Sequence, residues 1–201
     1  KILKLMDTFA GEDTLILTDP VMGDDGEVYP IYTEALRNRF CELVRRSYVI
    51  TPNLTEALIL LYGKEKMEAI WREFQEISGR ERLDQIEETG RRLAEEFSLS
   101  AVVITGVDYR DGEELVKIGN LVLEKEKSSW VFAEKSGGSY SGTGDLFASV
   151  LSAGLVKGYS MKKCAHLAVD FISASIRDAV EEGTDRNDGV CFEAHLGRLI
   201  Q

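Results

Sequence analysis

Thr-Leu-Ile-Leu-Thr-Asp-Pro-Val-Met-Gly-Asp-Asp-Gly-Glu-Val-Tyr-Pro, residues 14–30, is the stretch that decides the fold. Its first five residues form an unbroken apolar run with threonine at both ends. A short run of this kind, without polar alternation, reads as a strand buried on both faces. Asp19-Pro20 stops it, because proline cannot donate to a ladder. A Gly/Asp-rich loop, 21–30, then leaves the end of the strand with carboxylates at Asp19 and Asp24.

Working outward, the same grammar repeats. Residues 33–46 have helical periodicity and a basic end. Tyr48–Thr51 is a second short strand stopped by Pro52, and Asn53 caps a helix that runs to about Leu61 and ends at Gly63. Residues 64–97 are charged and helical in period, broken near Ser78-Gly79, and read as a surface elaboration away from any site. Ala101–Thr105 (AVVIT) is a third buried strand. Segments at about 114–123 and 128–134 alternate in polarity and predict an antiparallel hairpin. A Gly/Ser loop (135–144) leads to helices at about 144–157 and 160–182 and a short one at about 191–200. Upstream, residues 1–12 read as the end of a helix with Ile2, Leu5, Met6 and Phe9 on one face. Strands alternating with helices predict an α/β fold with a mostly parallel sheet and helices on both faces. In such sheets ligands bind beyond the carboxyl ends of the strands. The three strand ends here carry Asp19 and Asp24, Asn53 and Glu56, and Thr105 and Gly106.

Composition narrows the chemistry. The 201 residues, 44% hydrophobic and 29% charged, suit a single domain, 1–201, with a real core. A formal net charge of -11 disfavours nucleic acid and anionic membrane surfaces as partners. An acidic protein that handles phosphate must do so with backbone amides, metal ions or a few placed cations. Three widely spaced cysteines, Cys41, Cys164 and Cys191, fit free thiols in a reducing cytoplasm rather than a disulfide framework or zinc cluster. No apolar run reaches the roughly 18 residues a membrane-spanning helix needs.

Ser141-Gly142-Thr143-Gly144-Asp145 opens directly into the apolar helix LFASVLSAGLV. Glycines let backbone N–H groups converge on one point, and the helix adds the positive end of its dipole. Together they make an anion hole for a phosphate. Asp145 beside it could accept a hydroxyl proton, the pairing that phosphoryl transfer to an alcohol requires. The same residues also describe an ordinary helix N-cap, and the Walker pattern is absent. Asp19 and Asp24 offer the hard oxygen ligands magnesium takes while it keeps several waters, or they are a solvated turn. Asn53 and Glu56, three apart, also fit a capping box. His166, His195, Trp71 and Trp130 read as structural, with no ligand or triad partner at useful spacing for either histidine.

DPVMGDDGEVYP (19–30), TPNLTEA (51–57) and GSYSGTGDLFAS (138–149), in this order, resemble the pyridoxal kinase branch of the ribokinase superfamily. The resemblance runs from about Thr14 to the end of the chain. It implies a three-layer α/β/α ribokinase-like fold and ATP-dependent phosphorylation of the 5′-hydroxyl of pyridoxal, pyridoxine or pyridoxamine. Asp145 would be the catalytic base meeting the substrate hydroxyl, and Gly142, Thr143 and Gly144 the anion hole. Asp24 and Glu56 would lie in the magnesium region, with Asp19 near the metal and phosphates. Asn53, Thr105 and Gly106 would sit by the phosphates, and Tyr29 near the triphosphate. Ser136, Gly137 and Gly138 would line the adenosine pocket. ATP and Mg2+ are the implied cofactors, a monovalent cation such as K+ is common in that superfamily, and homodimers are usual. Hydroxymethylpyrimidine (phosphate) kinase is the nearest alternative. It commonly has Cys where this chain has Asp145 and usually lacks the Gly-Asp continuation that supplies Asp24. A non-catalytic nucleotide-binding relative is the third reading. Family members begin with further strands that touch the pyridine ring. The chain here starts at Lys1, so the resemblance implies a C-terminal, ATP-binding portion whose N-terminal ring-recognising residues lie outside this sequence.

Overall fold

Alternate residues of the short strands point to opposite apolar layers, and that alternation builds the molecule. The computed structural model describes residues 1–111, 115–125 and 127–200. Its elements run α1 (Ile2–Phe9), β1 (Leu17–Thr18), β2 (Gly23–Asp24), β3 (Glu27–Val28), α2 (Glu34–Val44), β4 (Val49–Ile50) and α3 (Leu54–Tyr62). There follow α4 (Lys64–Glu76), α5 (Gly79–Phe97), β5 (Ala101–Asp111), β6 (Leu115–Glu124), β7 (Lys127–Glu134), α6 (Thr143–Val156), α7 (Met161–Glu182) and a 3-10 helix (Glu193–Leu199). The main sheet has the order β1-β4-β5-β6-β7. It is parallel across β1, β4 and β5 and antiparallel from β5 to β7.

On one face Ile50, Val102, Ile104, Leu121 and Leu123 pack with α2, α3, α4 and α5. On the other, Val49, Ala101, Val103, Val122 and Val131 pack with α6 and α7. The result is helices, sheet, helices, as expected for an α/β/α sandwich. The hairpin expected at about 114–123 and 128–134 is β6 and β7, although residue 114 lies outside the described residues. The apolar run 14–18 contributes only Leu17–Thr18 as ladder, because its described neighbour β4 is itself two residues long. The closing helix is 3-10 rather than α.

One expectation is corrected. Residues 64–97 are no surface elaboration: Met67, Phe74, Ile86, Leu93 and Phe97 are buried in the core on the α3 side of the sheet. Most of their charged residues occupy the outer stripe of two amphipathic helices, which is what a helix covering a sheet shows, while Glu87 is buried against Ser128 and Trp130 of the sheet. Nor are they remote from the strand-end loops. Trp71 of α4 lies directly beneath Gly26, where an added Cβ would come within 2.4 Å of its indole. Gly26 has φ +78°, so the turn between β2 and β3 needs glycine both for its backbone and for its seat on Trp71.

Candidate active site

The loops after β1 and β4 are fastened together before any ligand arrives. Asn53 caps α3: its side chain accepts the Glu56 amide at 2.9 Å, and Glu56 Oε2 accepts the Asn53 amide at 2.9 Å. The capping-box reading therefore holds. The same two side chains also reach outward. Glu56 Oε1 accepts the Met22 N–H at 3.1 Å, and Asn53 Nδ2 donates to the Gly23 carbonyl at 2.8 Å and toward Asp24 Oδ1 at 3.3 Å. Thr55 Oγ1 accepts the Gly26 N–H at 2.9 Å, so the β2–β3 hairpin is pinned along the start of α3. Glu56 is only 4% exposed. Burial pushes its carboxyl up to about 8, helped by Asp19 and Asp24 and opposed by its two amide donors.

Asp19 and Asp24 are also raised, first by burial. Thr51 Oγ1 donates to Asp19 Oδ1 at 3.1 Å and holds Asp19 down, while Asp145 pushes it up. The Asp25 amide lowers Asp24, the Asp25 carboxylate raises it, and the guanidinium of Arg186 lowers it again. Tyr29 is raised by burial and by Asp24, Glu56 and Asp19. Protons are favoured on this shelf first because its carboxyls are buried and then because they crowd one another; a bound cation would relieve both.

The glycine turn faces the shelf. Gly142, at φ +81°, is the N-cap of α6, and no side chain caps the helix. The first amides of α6 keep their capacity to bind an anion. Thr143 Oγ1 donates to the Tyr140 carbonyl at 3.1 Å and so faces away from a capping role. Asp145 is exposed and has no hydrogen bond or ion pair among the described residues. The side-chain N-cap reading of this pentapeptide is not met.

A cavity of about 580 Å³ brings these pieces together. Asp19, Asp24, Tyr29, Asn53, Glu56, Thr105, Gly106, Gly142, Thr143, Gly144 and Asp145 all line it. A Cβ on Gly144 would lie 3.8 Å from Asp19 Oδ2, so shelf and turn approach closely. Next to it lies an apolar cavity of about 180 Å³ bounded by Ile118, Ala133, Phe147, Val169, Ile172 and Ile176, with Ser136 and Gly138 on its wall. Thr105, Gly106, Ser139, Tyr140, Thr143 and Gly144 border both cavities.

Gly137 departs from the expected set. It lines neither cavity, and its φ of +65° sets a turn against Val180, where a Cβ would meet Cγ2 at 2.5 Å. It shapes the loop between Ser136 and Gly138, which line the apolar cavity. Sequence reasoning also missed Thr51, Tyr140, Arg186 and Asn120. Asn120 is buried and accepts the Gly106 N–H at 3.2 Å, where the β5–β6 register shifts. Thr51 and Arg186 could be revealed only by the third dimension, since Asp19 and Ser141, which they bond, lie 32 and 45 positions away. Among the described residues no three His, Cys, Asp or Glu side chains form a metal cage. Asp24 with Glu56 nearby suits an ion ligated mainly by water and phosphate oxygens, which is how magnesium binds.

Trp130 and His195 have structural partners, and His166 is exposed. Trp130 donates to Glu87 and stacks on Phe132. His195 has a partner the sequence did not disclose, Asp178 Oδ2 at 2.8 Å, tying the 3-10 helix to α7. The three cysteines are free thiols, Cys41 and Cys164 buried. No described helix is long and apolar enough to cross a membrane.

Comparison with known proteins agrees with the fold. The family model described as phosphomethylpyrimidine kinase matches residues 2–189. A Bacteroides thetaiotaomicron VPI-5482 protein bearing that same enzyme's name, crystallised with pyridoxal, superposes with a TM-score of 0.81 at 28% identity, covering 100% of this chain and 65% of its own. The pyridoxine kinase of Bacillus subtilis (strain 168) is 28% identical over 170 residues, 82% of this chain and 54% of that protein. Pyridoxal kinase from Lactobacillus plantarum shares the fold, with a TM-score of 0.73 at 24% identity over 92% of this chain and 61% of its own. The chain thus spans about half the length of the curated relative and under two thirds of these structures.

Proposed function

Since the chain belongs to the phosphomethylpyrimidine kinase family, we propose that it carries the ATP-binding and catalytic part of a vitamin B6 kinase. Its reaction would be phosphorylation of the 5′-hydroxyl of pyridoxal, pyridoxine or pyridoxamine by ATP. One observation carries the reading: the uncapped first turn of α6 and the unpaired Asp145 share a cavity with Asp19, Asp24 and Glu56. Amides that attract an anion, carboxylates that attract a cation and a free base fit a magnesium–phosphate complex attacked by an alcohol.

The adenine ring would occupy the apolar cavity, with Ser136, Gly138 and Tyr140 at its rim. The polyphosphate would cross Thr105 and Gly106 into the acidic cavity. Magnesium, held near Asp24 with water and phosphate oxygens, would neutralise the developing charge. Asp145 would take the hydroxyl proton as that oxygen bonds to the γ-phosphorus and the bond to the ADP oxygen breaks. The amides of Gly142, Thr143 and Gly144 would hold the transferring group in line. A homodimer and a monovalent cation belong to the same reading, testable by sedimentation and by replacing K+ with Na+.

The pyridoxal-containing relative and the B. subtilis pyridoxine kinase support a B6 vitamer as acceptor. The family description favours hydroxymethylpyrimidine phosphate as the rival. A parallel turnover assay with both acceptors decides between them. Preferential ADP formation with pyridoxal is expected; preference for the pyrimidine would overturn the B6 assignment and leave the kinase chemistry standing.

A further inference from the structure

The acidic cavity gathers Asp19, Asp24, Asp25, Glu56 and Asp145, yet a polyphosphate is itself strongly negative. Among the described residues lining it, Arg186 is the sole basic side chain. It sits on a tight turn after α7. Asp185 shapes this turn by accepting the Asn187 N–H at its side chain, 2.8 Å, and the Asp188 N–H at its carbonyl, 2.9 Å. The turn is fastened to the anion loop: the Arg186 carbonyl accepts the Ser141 N–H at 2.9 Å. Gly189, at φ +89°, lies so close that a Cβ there would stand 3.5 Å from the Ser141 carbonyl oxygen. The backbone of Arg186 is therefore tied to the loop that opens α6. Its guanidinium has no ion pair within 4.0 Å among the described residues, although it is near enough to draw Asp24 down.

We infer that Arg186 is a phosphate-binding residue that contacts the terminal phosphoryl group of the nucleotide held at the Gly142–Gly144 turn. The inference rests on the kinase reading above and assigns the placed cation that so acidic a chain needs. A guanidinium is fully charged at any working pH and offers a planar fork of donors that matches two phosphate oxygens. An unpaired one, lining the same cavity as an anion turn and several carboxylates, gains most when an anion arrives. Arg186 and Asp24 line the same cavity, so the polyphosphate's oxygens would turn toward the guanidinium and its bound cation toward the carboxylate.

The test measures binding of Mg-ATP and of adenosine to the full chain, wild type, R186A and R186K, by calorimetry. Circular dichroism verifies that each variant folds. R186A should weaken Mg-ATP about 10- to 100-fold, the range for a lost charge-assisted hydrogen bond, while adenosine affinity stays within twofold. R186K should recover part of the loss, since lysine supplies charge without the fork. Equal Mg-ATP affinity in wild type and R186A overturns the inference and leaves the kinase reading intact. Parallel losses for adenosine and Mg-ATP would assign the residue to the fold instead, also overturning it. A wild-type chain that binds neither ligand would sink the nucleotide reading itself, and the inference with it.

Discussion

The two walls of the acidic cavity are built on opposite plans. On the shelf formed by the loops after β1 and β4, three carboxylates are already held. Asp19 is bonded to Thr51, Asp24 to the Asp25 amide and Asn53, and Glu56 to two amides. On the glycine wall, α6 begins without a side-chain cap and Asp145 stands unpaired. The shelf is a finished set of acceptors; the turn is an unfinished set of donors with a base beside it. Neither satisfies the other directly. A cation and a phosphate together would satisfy both, so the two plans describe one ligand from its two sides.

The sharpest way to break this pairing is to remove the base. Asp145→Ala should lower turnover by a factor on the order of 10²–10⁴, the usual worth of a general base. Mg-ATP binding should stay nearly unchanged, because Asp145 makes no contact that orders the fold. Single-turnover kinetics beside calorimetry reads both. Near-normal turnover would remove the proposed base, and the contrast between the walls would then concern binding alone.

Much of this contrast is legible in the sequence, and what is not has a physical reason. Asp19, Asp24, Asn53, Glu56 and Asp145 were expected at strand and helix ends, because local rules of strand termination and capping place them there. Thr51 stands among them, inside a quoted motif, yet its bond to Asp19 spans 32 residues and leaves no periodic trace. Arg186 lies in a turn that reads as ordinary punctuation until its carbonyl is seen to hold Ser141. Trp71 was correctly read as packing, but its helix was misread as remote: charge density reports the outer stripe of α4 and says nothing about what its inner stripe supports. Gly137 makes a related point: glycine in a loop beside a site reads as pocket wall, and the fold shows that this one also sets a turn against Val180.

Proton linkage sharpens the shelf's side of the comparison. Glu56 has an ordinary value of 4.5 and is raised to about 8 by burial. A carboxyl raised by folding favours the folded state while protonated. Its contribution is complete below about 4.5 and is lost as pH rises through about 8. The ligand-free chain should therefore lose stability across that window, by an amount on the order of a few kcal/mol. Asp19 and Asp24, also raised, act with the same sign. Glu56→Gln should flatten the profile, and magnesium with ATP should do the same by favouring the ionised shelf. Melting temperatures of wild type and variant at several pH values check this; parallel profiles would show that Glu56 does not titrate there.

The hairpin that carries Asp24 offers a mechanical test. Gly26→Ala puts a side chain at φ +78° and drives it into Trp71, at a combined cost of about 2–4 kcal/mol. Trp71→Ala in the same chain should relieve the collision and leave only the backbone strain. Chemical denaturation of both single variants and the pair reads the coupling. Additive losses would mean that Trp71 is not the seat of the hairpin, and that α4 supports the shelf less than its packing implies.

The mildest change separates the two walls most cleanly. Thr51→Val keeps the shape of a buried side chain and removes one donor, the hydroxyl that reaches Asp19 Oδ1. The direct cost should be about 1 kcal/mol of stability. Its electrostatic effect has a definite sign. The Thr51 bond lowers Asp19 against burial and against Asp145, so its loss must raise Asp19 further. An Asp19 that must be ionised for turnover would then move the acid limb of the pH–rate profile upward. Turnover above that limb should hold within a few-fold, because the glycine wall and Asp145 are untouched. An unmoved limb would place Asp19 outside the ionisations that control the reaction. The chemistry would then belong to the turn, and the shelf, for all its hydrogen bonds, would do no more than hold the ligand.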